Sequence, residues 1–167
     1  KVNGVDIRKY DYQEYCRLFG AVFQDFQIFA FPLGENIANG QEVLQEKAED
    51  ALKRAGLGER LERLPKKLDT CVGKEFEDEG VTFSGGEKQK MAIARAIYKD
   101  APFVIMDEPT AALDPVSECE VFAGFDRMVG NKTAIYISHR LEELYRLSDR
   151  ILVMRDGEYV KTLITKE

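Results

Sequence analysis

The apolar run Phe103-Val104-Ile105-Met106 ends directly on two acids, Asp107-Glu108. A short continuous apolar stretch of this kind suits a strand buried on both faces, the form strands take in a parallel sheet covered by helices. Asp107 and Glu108 then fall at the C-terminal edge of that strand, where open α/β sheets bind their ligands. The rest of the last third alternates as such a sheet demands. Asp114-Pro115 caps a helix ending near Gly130, 133–138 reads as a strand and 141–147 as a short helix. A strand over 151–154 is turned by Asp156-Gly157 into a last one over 159–164. This order predicts a parallel sheet with crossover helices.

Upstream the pattern changes. Val2-Asn3-Gly4-Val5 carries an Asn-Gly hairpin turn, but only Lys1 and Val2 remain of its first arm, and no initiator Met precedes them. The expectation is a chain that begins inside a longer protein. Asp11-Tyr12-Gln13-Glu14 has the pattern of a capping box opening a short helix, and an apolar strand over 19–23 places Gln24 at its C-terminal end. Residues 25–40, aromatic and punctuated by Pro32 and Gly34, read as a loop with apolar anchors. Leu44, Ala48, Ala51, Leu52 and Ala55 recur at helical spacing, so 41–64 reads as mostly surface-lying helix, with Gly56 as a stop and Pro65 closing a second, shorter helix. After the charged stretch 74–79, Ser84-Gly85-Gly86-Glu87 forms a second capping box ahead of an Ala-rich helical run over 88–99. Residues 41–99 therefore read as a helical insertion in the α/β order.

Composition narrows the function classes. With 44% hydrophobic residues, 167 residues suffice for one core, and no apolar run approaches the roughly 20 residues that cross a bilayer. A net charge of −6 with both signs interspersed argues against a nucleic-acid-binding face. Cys16, Cys71 and Cys119 are odd in number and widely spaced, which fits neither a disulfide framework nor a zinc site. Without a signal peptide at the start, a reducing, cytosolic setting is expected.

The chemistry gathers at strand ends. Neighbouring side chains point in different directions, so one of Asp107 and Glu108 can serve a Mg²⁺ shell while the other faces a water aimed at a phosphoryl group. Taken alone, the pair reads as two solvated acids at a turn. Ser84-Gly85-Gly86 at a helix start suits an anion, since glycine lets the backbone approach, N–H groups point outward and the dipole favours negative charge; by itself it is equally the cap of an ordinary helix. His139, the sole histidine, follows the strand over 133–138 and shares the edge that carries Asp107 and Glu108.

Together these segments carry a resemblance. Gln24, then Phe83-Ser84-Gly85-Gly86-Glu87, then Asp107-Glu108-Pro109-Thr110, then Ala112-Leu113-Asp114-Pro115, then Ser138-His139 resemble, in order, the Q-loop, signature, Walker B, D-loop and H-loop of the ATP-binding-cassette (ABC) family. The likeness covers nearly the whole chain. It implies an α/β, P-loop NTPase-like fold: a mostly parallel sheet with an inserted helical subdomain, lacking the N-terminal strands and the phosphate-binding loop. Residues 1–24 and 100–167 would belong to the catalytic core, and 25–99 to the Q-loop, helical subdomain and signature helix. Phe83 for leucine, Glu87 for glutamine and Ala111 for serine depart from the common pattern. No Gly-x-x-x-x-Gly-Lys-Ser/Thr occurs in the 167 residues.

By the same resemblance, Asp107 would support Mg²⁺ and Glu108 would act as general base toward water. Gln24 would sense Mg²⁺ and that water, and neutral His139 would donate to the γ-phosphate. Ser84, Gly85, Gly86 and Glu87 would bind ATP held mainly by a second nucleotide-binding domain, and Asp114 would lie at the interface of this homo- or heterodimer. The implied protein is an ATPase on the cytoplasmic face of the cell membrane, joined to transmembrane domains fused upstream, with no nucleic-acid partner. Only 59 residues separate Gln24 from Ser84, too few for the coiled coil of the chromosome-maintenance cassette ATPases. Phe31-Pro32-Leu33-Gly34-Glu35-Asn36-Ile37 and the stretches around Thr70-Cys71-Val72-Gly73 and Glu79-Gly80 resemble exporters. The alternatives are a non-enzymatic module that lends only its signature face to a partner, or a non-transporter cassette ATPase.

Overall fold

A computed structural model describes residues 1–75, 77–110 and 113–165. Three strands, β1 (Phe19–Val22), β2 (Phe103–Asp107) and β3 (Thr133–Ile137), form a parallel sheet in the order β1-β2-β3. Phe19 pairs with Phe103, which pairs in turn with Thr133, and Asp107 pairs with Ile137. Between β1 and β2 lie α2 (Leu33–Ala38), α3 (Gln45–Arg54), α4 (Gly58–Glu62) and α5 (Gly85–Lys99), as expected of a helical insertion. A short α1 (Tyr12–Arg17) precedes β1, and α6 (Pro115–Val129) joins β2 to β3. After α7 (Leu141–Leu147) the chain ends in an antiparallel hairpin, β4 (Arg150–Arg155) and β5 (Glu158–Ile164). None of the described helices is long and apolar enough to cross a membrane.

The local signals act where the sequence places them. Val2 and Val5 exchange backbone bonds of 2.9 and 3.0 Å around Asn3 and Gly4, both at positive φ. Asp11 caps α1 by accepting from the N–H groups of Gln13 and Glu14. At the end of α3, Gly56 adopts φ +79°, its N–H donates to Lys53 O and that of Leu57 to Leu52 O. This is the Schellman arrangement that glycine admits without a Cβ clash.

Two expectations are corrected. The segment 25–40 is not loop throughout, because Leu33–Ala38 is helical. Six residues are too few to display a period, and tertiary bonds hold them instead. Asn36, 2% exposed, donates Nδ2 to the carbonyls of Phe29 and Phe31 and accepts from Phe29 N–H. Arg95 of α5 donates to Asn36 O at 2.7 Å and to Asn36 Oδ1 at 2.9 Å, and burial lowers its guanidinium pKa.

Nor is β2 buried on both faces. Val104 and Met106 are buried, whereas Phe103 and Ile105 are only half-buried. The covered face meets α5, where Gly20 lets β1 approach Ala96, and α6, where Phe125 packs edge-on against Tyr136. On the other face Ile135 and Ile137 are 51% and 47% exposed.

The largest side chains of the core come from the insertion as well as the sheet: Leu33, Ile37, Leu52, Leu61, Met91, Ile93, Tyr98 and Met106 are fully buried. As the spacing in 41–64 predicts, α3 lies on the surface and sinks one face, Ala48, Ala51 and Leu52, into this core. Tyr98 ties the insertion together, accepting from Leu44 N–H at 2.9 Å and donating to Glu42 O. The signature-like helix α5 is thus packed along its length and presents only its N-terminal end.

Candidate functional site

Glu108 extends the ladder by one residue, donating its N–H to Ile137 O at 3.0 Å. It then turns into the left-handed region, at φ +46°, where a non-glycine residue costs roughly 1–3 kcal/mol. Past this turn its carboxylate meets the histidine that leaves the neighbouring strand: His139 Nδ1 lies 2.7 Å from Glu108 Oε1. Parallel pairing of Asp107 with Ile137 makes this contact possible, since both residues emerge from the same edge in near register. The Glu108 side chain is 25% exposed and that of His139 74%.

This contact constrains the ring. An ionised carboxylate only accepts, so Nδ1 carries the proton and Nε2 of a neutral ring is left as an acceptor. A neutral His139 therefore donates either to Glu108 or, after a tautomer change, through Nε2 to another oxygen. It cannot do both at once.

Asp107 lies on the strand face shared with Phe103 and Ile105, the less covered one. Gln24 is exposed in a turn two residues past Val22, which pairs with Met106. The C-terminal edge of the sheet thus gathers Gln24, Asp107, Glu108 and His139.

Ser84, Gly85, Gly86 and Glu87 form a second group. Ser84 N–H donates to Glu87 Oε2 at 2.8 Å and Glu87 N–H to Ser84 Oγ at 3.2 Å, the reciprocal capping box read in the sequence. The cap leaves the N–H groups of Gly85 and Gly86 without acceptors in the helix. A Cβ at Gly85 would meet nothing within 4 Å, so an anion has a clear approach to the positive end of the dipole.

Asp114 caps α6 through bonds of 3.0 and 3.1 Å from the N–H groups of Val116 and Ser117. Hydrogen bonding from the Ser117 side chain, reinforced by these amides, holds its carboxyl below the usual carboxylate range. Ala111 and Ala112 of the D-loop-like segment lie outside the described residues.

Three residues that the sequence reading passed over support these groups. Gln89, fully buried on α5, reaches toward Glu108 O with Nε2 at 3.4 Å and thereby joins the signature-like helix to the strand-end acid. Arg60 of α4 pairs with Glu87, Nε to Oε1 at 2.9 Å, and lies over the Phe83 ring at 5.3 Å. Glu143 of α7 sits buried behind His139. Gln89 and Glu143 are polar residues on core-facing helix positions, a signal that only the fold makes visible.

Comparison with known proteins gives a consistent picture. The family model described as "ABC transporter" matches residues 1–111. The ATP-dependent lipid A-core flippase of Paraburkholderia xenovorans (strain LB400) is 42% identical over 161 residues, 96% of this chain and 26% of the relative. The protein of the same name from Vibrio cholerae serotype O1 is 38% identical over 162 residues, 96% of this chain and 27% of the relative. The chain thus spans about a quarter of the length of these curated relatives. A solved bacterial Atm1-family ABC exporter with ATP bound superposes with a TM-score of 0.84 at 32% identity, over 97% of this chain and 28% of that one.

Proposed function

The chain belongs to the ABC transporter family, as an exporter-type nucleotide-binding domain, and from that premise we propose that it binds and hydrolyses ATP within a larger membrane exporter. The observation that carries the proposal is the Glu108–His139 pair beside Asp107 at one edge of the parallel sheet. Residues 1–24 and 100–167 contribute to the catalytic core, and 25–99 supply the Q-loop, helical subdomain and signature helix.

In this reading Glu108 is the general base. Its carboxylate, free to accept once His139 turns away, takes a proton from the attacking water as the water closes on the γ-phosphate. His139 donates through Nε2 to a γ-phosphate oxygen after releasing Glu108, so both groups engage the nucleotide together or remain engaged with each other. Gln24 orients the same water from the end of β1.

Asp107 and Gln24 suit Mg²⁺, which keeps much of its shell as water and takes one or two carboxylates besides phosphate oxygens. Both stand at the same edge of the sheet, Gln24 just past the end of β1 and Asp107 at the end of β2. When bound, Mg²⁺ would supply charge neutralisation on the phosphates.

Ser84, Gly85, Gly86 and Glu87 face ATP held mainly by a second nucleotide-binding domain, in a homo- or heterodimer with Asp114 at the interface. In the same reading the transmembrane domains are fused upstream in the parent protein, and this domain works at the cytoplasmic face of the membrane. The matched relatives are named flippases and the matched structure an exporter; the nucleotide-binding part is common to many cargoes and does not choose among them.

The test is Glu108→Gln in the whole protein. Nucleotide binding should persist while hydrolysis slows at least roughly a hundredfold, the lower range for a lost general base, and the ATP-bound dimer should accumulate. Turnover at the wild-type rate would return the two acids to a solvated turn and favour the non-enzymatic module.

A further inference from the structure

The ring of His139 is largely exposed, and packing does little to hold it. What is tightly held is the backbone on either side. Ser138 Oγ donates to Glu143 Oε2 at 2.8 Å, and Arg140 Nη1 donates to Glu143 Oε1 at 2.8 Å. Between them the Arg140 N–H donates to Ser138 Oγ at 3.0 Å. The residues immediately before and after His139 therefore hang from one carboxylate, itself only 6% exposed. A third donor, the Tyr136 hydroxyl, reaches the same carboxylate at 3.0 Å.

The arrangement departs from ordinary helix capping in a telling way. Glu143 is the third residue of α7, where a glutamate commonly turns back to accept the N–H of the capping residue. Here Ser138 Oγ accepts that N–H and donates its own hydroxyl to Glu143. The carboxylate is thereby freed to reach the strand end, and its buried charge is compensated by Arg140, which also pairs with Glu118 of α6. Burial further raises the Tyr136 hydroxyl pKa, so it remains a donor to Glu143. Every polar group facing Glu143 in this network acts as a donor, and a side chain that both donates and accepts would fit it poorly.

We propose that Glu143 is a positioning residue for His139, fixing the turn from which the ring reaches Glu108 and, in the catalytic reading above, the γ-phosphate. It touches neither Glu108 nor nucleotide and acts by clamping Ser138 and Arg140. The proposal rests on the catalytic reading for its effect on turnover. Its structural content, the placement of the ring, is independent of that reading.

The experiment compares Glu143→Gln, His139→Ala and the double variant in the whole protein. Glutamine has nearly the same size, but its amide must confront at least one of the Ser138, Tyr136 and Arg140 donors. Turnover by Glu143→Gln should fall about tenfold, within the cost of an ångström-scale misplacement, while KM for ATP stays close to wild type and the thermal midpoint falls by only a few degrees, the cost of a mismatched buried donor. In the His139→Ala background the same change should alter single-turnover hydrolysis less than about twofold, because coupled residues are non-additive. An equal loss in both backgrounds, or no loss in the wild-type background, would overturn the proposal. The ring resonances of His139, assigned by their disappearance in His139→Ala, should also shift in Glu143→Gln; unchanged resonances overturn it as well. If His139→Ala retains wild-type turnover, the catalytic reading fails and the resonances alone decide the placement.

Discussion

Arg60 and Glu87 meet across the α4–α5 junction, Nε to Oε1 at 2.9 Å, while the other oxygen of the same carboxylate receives the N–H of Ser84. One arginine thus serves both departures from the signature pattern. It offsets the charge of Glu87 where glutamine is common, and its guanidinium covers the ring of Phe83 where leucine is usual. The negative charge beside Gly85 and Gly86 would otherwise oppose a phosphate at that helix end.

Arg60→Met should therefore destabilise the domain by about 0.5–1 kcal/mol, the range of a partly exposed ion pair with a cation–π contact. It should also weaken ATP-driven pairing of the two nucleotide-binding domains. Glu87→Gln removes the charge that needs an offset and should restore the pairing. A double-mutant cycle on pairing, measured in the whole protein, reads the coupling directly. Strictly additive effects would show that Arg60 and Glu87 act separately.

The exposed sheet face governs how the 167-residue chain behaves by itself. Ile135 and Ile137 leave the sheet apolar on the side away from α5 and α6, and Leu152, Met154, Tyr159 and Ile164 are exposed on the terminal hairpin. Exposed apolar side chains of this kind favour association, and among the described residues β3 pairs within its sheet only with β2, which leaves an edge for further pairing. The chain should self-associate or aggregate in sedimentation experiments; a monodisperse monomer with a sharp, high-temperature unfolding transition would contradict this. Because the sequence holds no Gly-x-x-x-x-Gly-Lys-Ser/Thr loop, calorimetry should also detect only very weak Mg-ATP binding, with no appreciable hydrolysis.

These expectations differ in how far the sequence alone supports them. The starts of α5 and α6 were legible because Ser84 to Glu87 and Asp114-Pro115 complete their caps within four residues. The hairpin turn at Asp156-Gly157 was legible for the same reason, with both residues at positive φ. Helix α2 was not, since Asn36 is held by Phe29 and by Arg95, the latter 59 positions away. Placing His139 on the edge that carries Glu108 followed from strand order. Their contact depends further on the left-handed backbone at Glu108, which an Asp-Glu-Pro sequence does not announce. Which sheet face the helices cover was likewise hidden, because the run 103–106 is apolar at every position and carries no alternation to read.

Asp107 and Ser84 occupy the two separate groups, and their substitution in the whole protein should separate two stages of the cycle. Asp107→Asn removes charge from the proposed metal shell while leaving the base at Glu108. It should therefore weaken the Mg²⁺ requirement for ATP binding, because the carboxylate that favours the cation is gone. Ser84→Arg acts on the other group. It places a long cation where the open helix end faces nucleotide held by the partner domain, and Arg at that cap also loses the oxygen that accepts from Glu87 N–H. Binding of ATP to the same subunit should stay nearly unchanged while closure of the dimer, followed by cross-linking or light scattering, is blocked. If Ser84→Arg instead abolished nucleotide binding to its own subunit, Ser84 would belong to the site at Asp107 and Glu108, and the proposed action on a partner's nucleotide would fall.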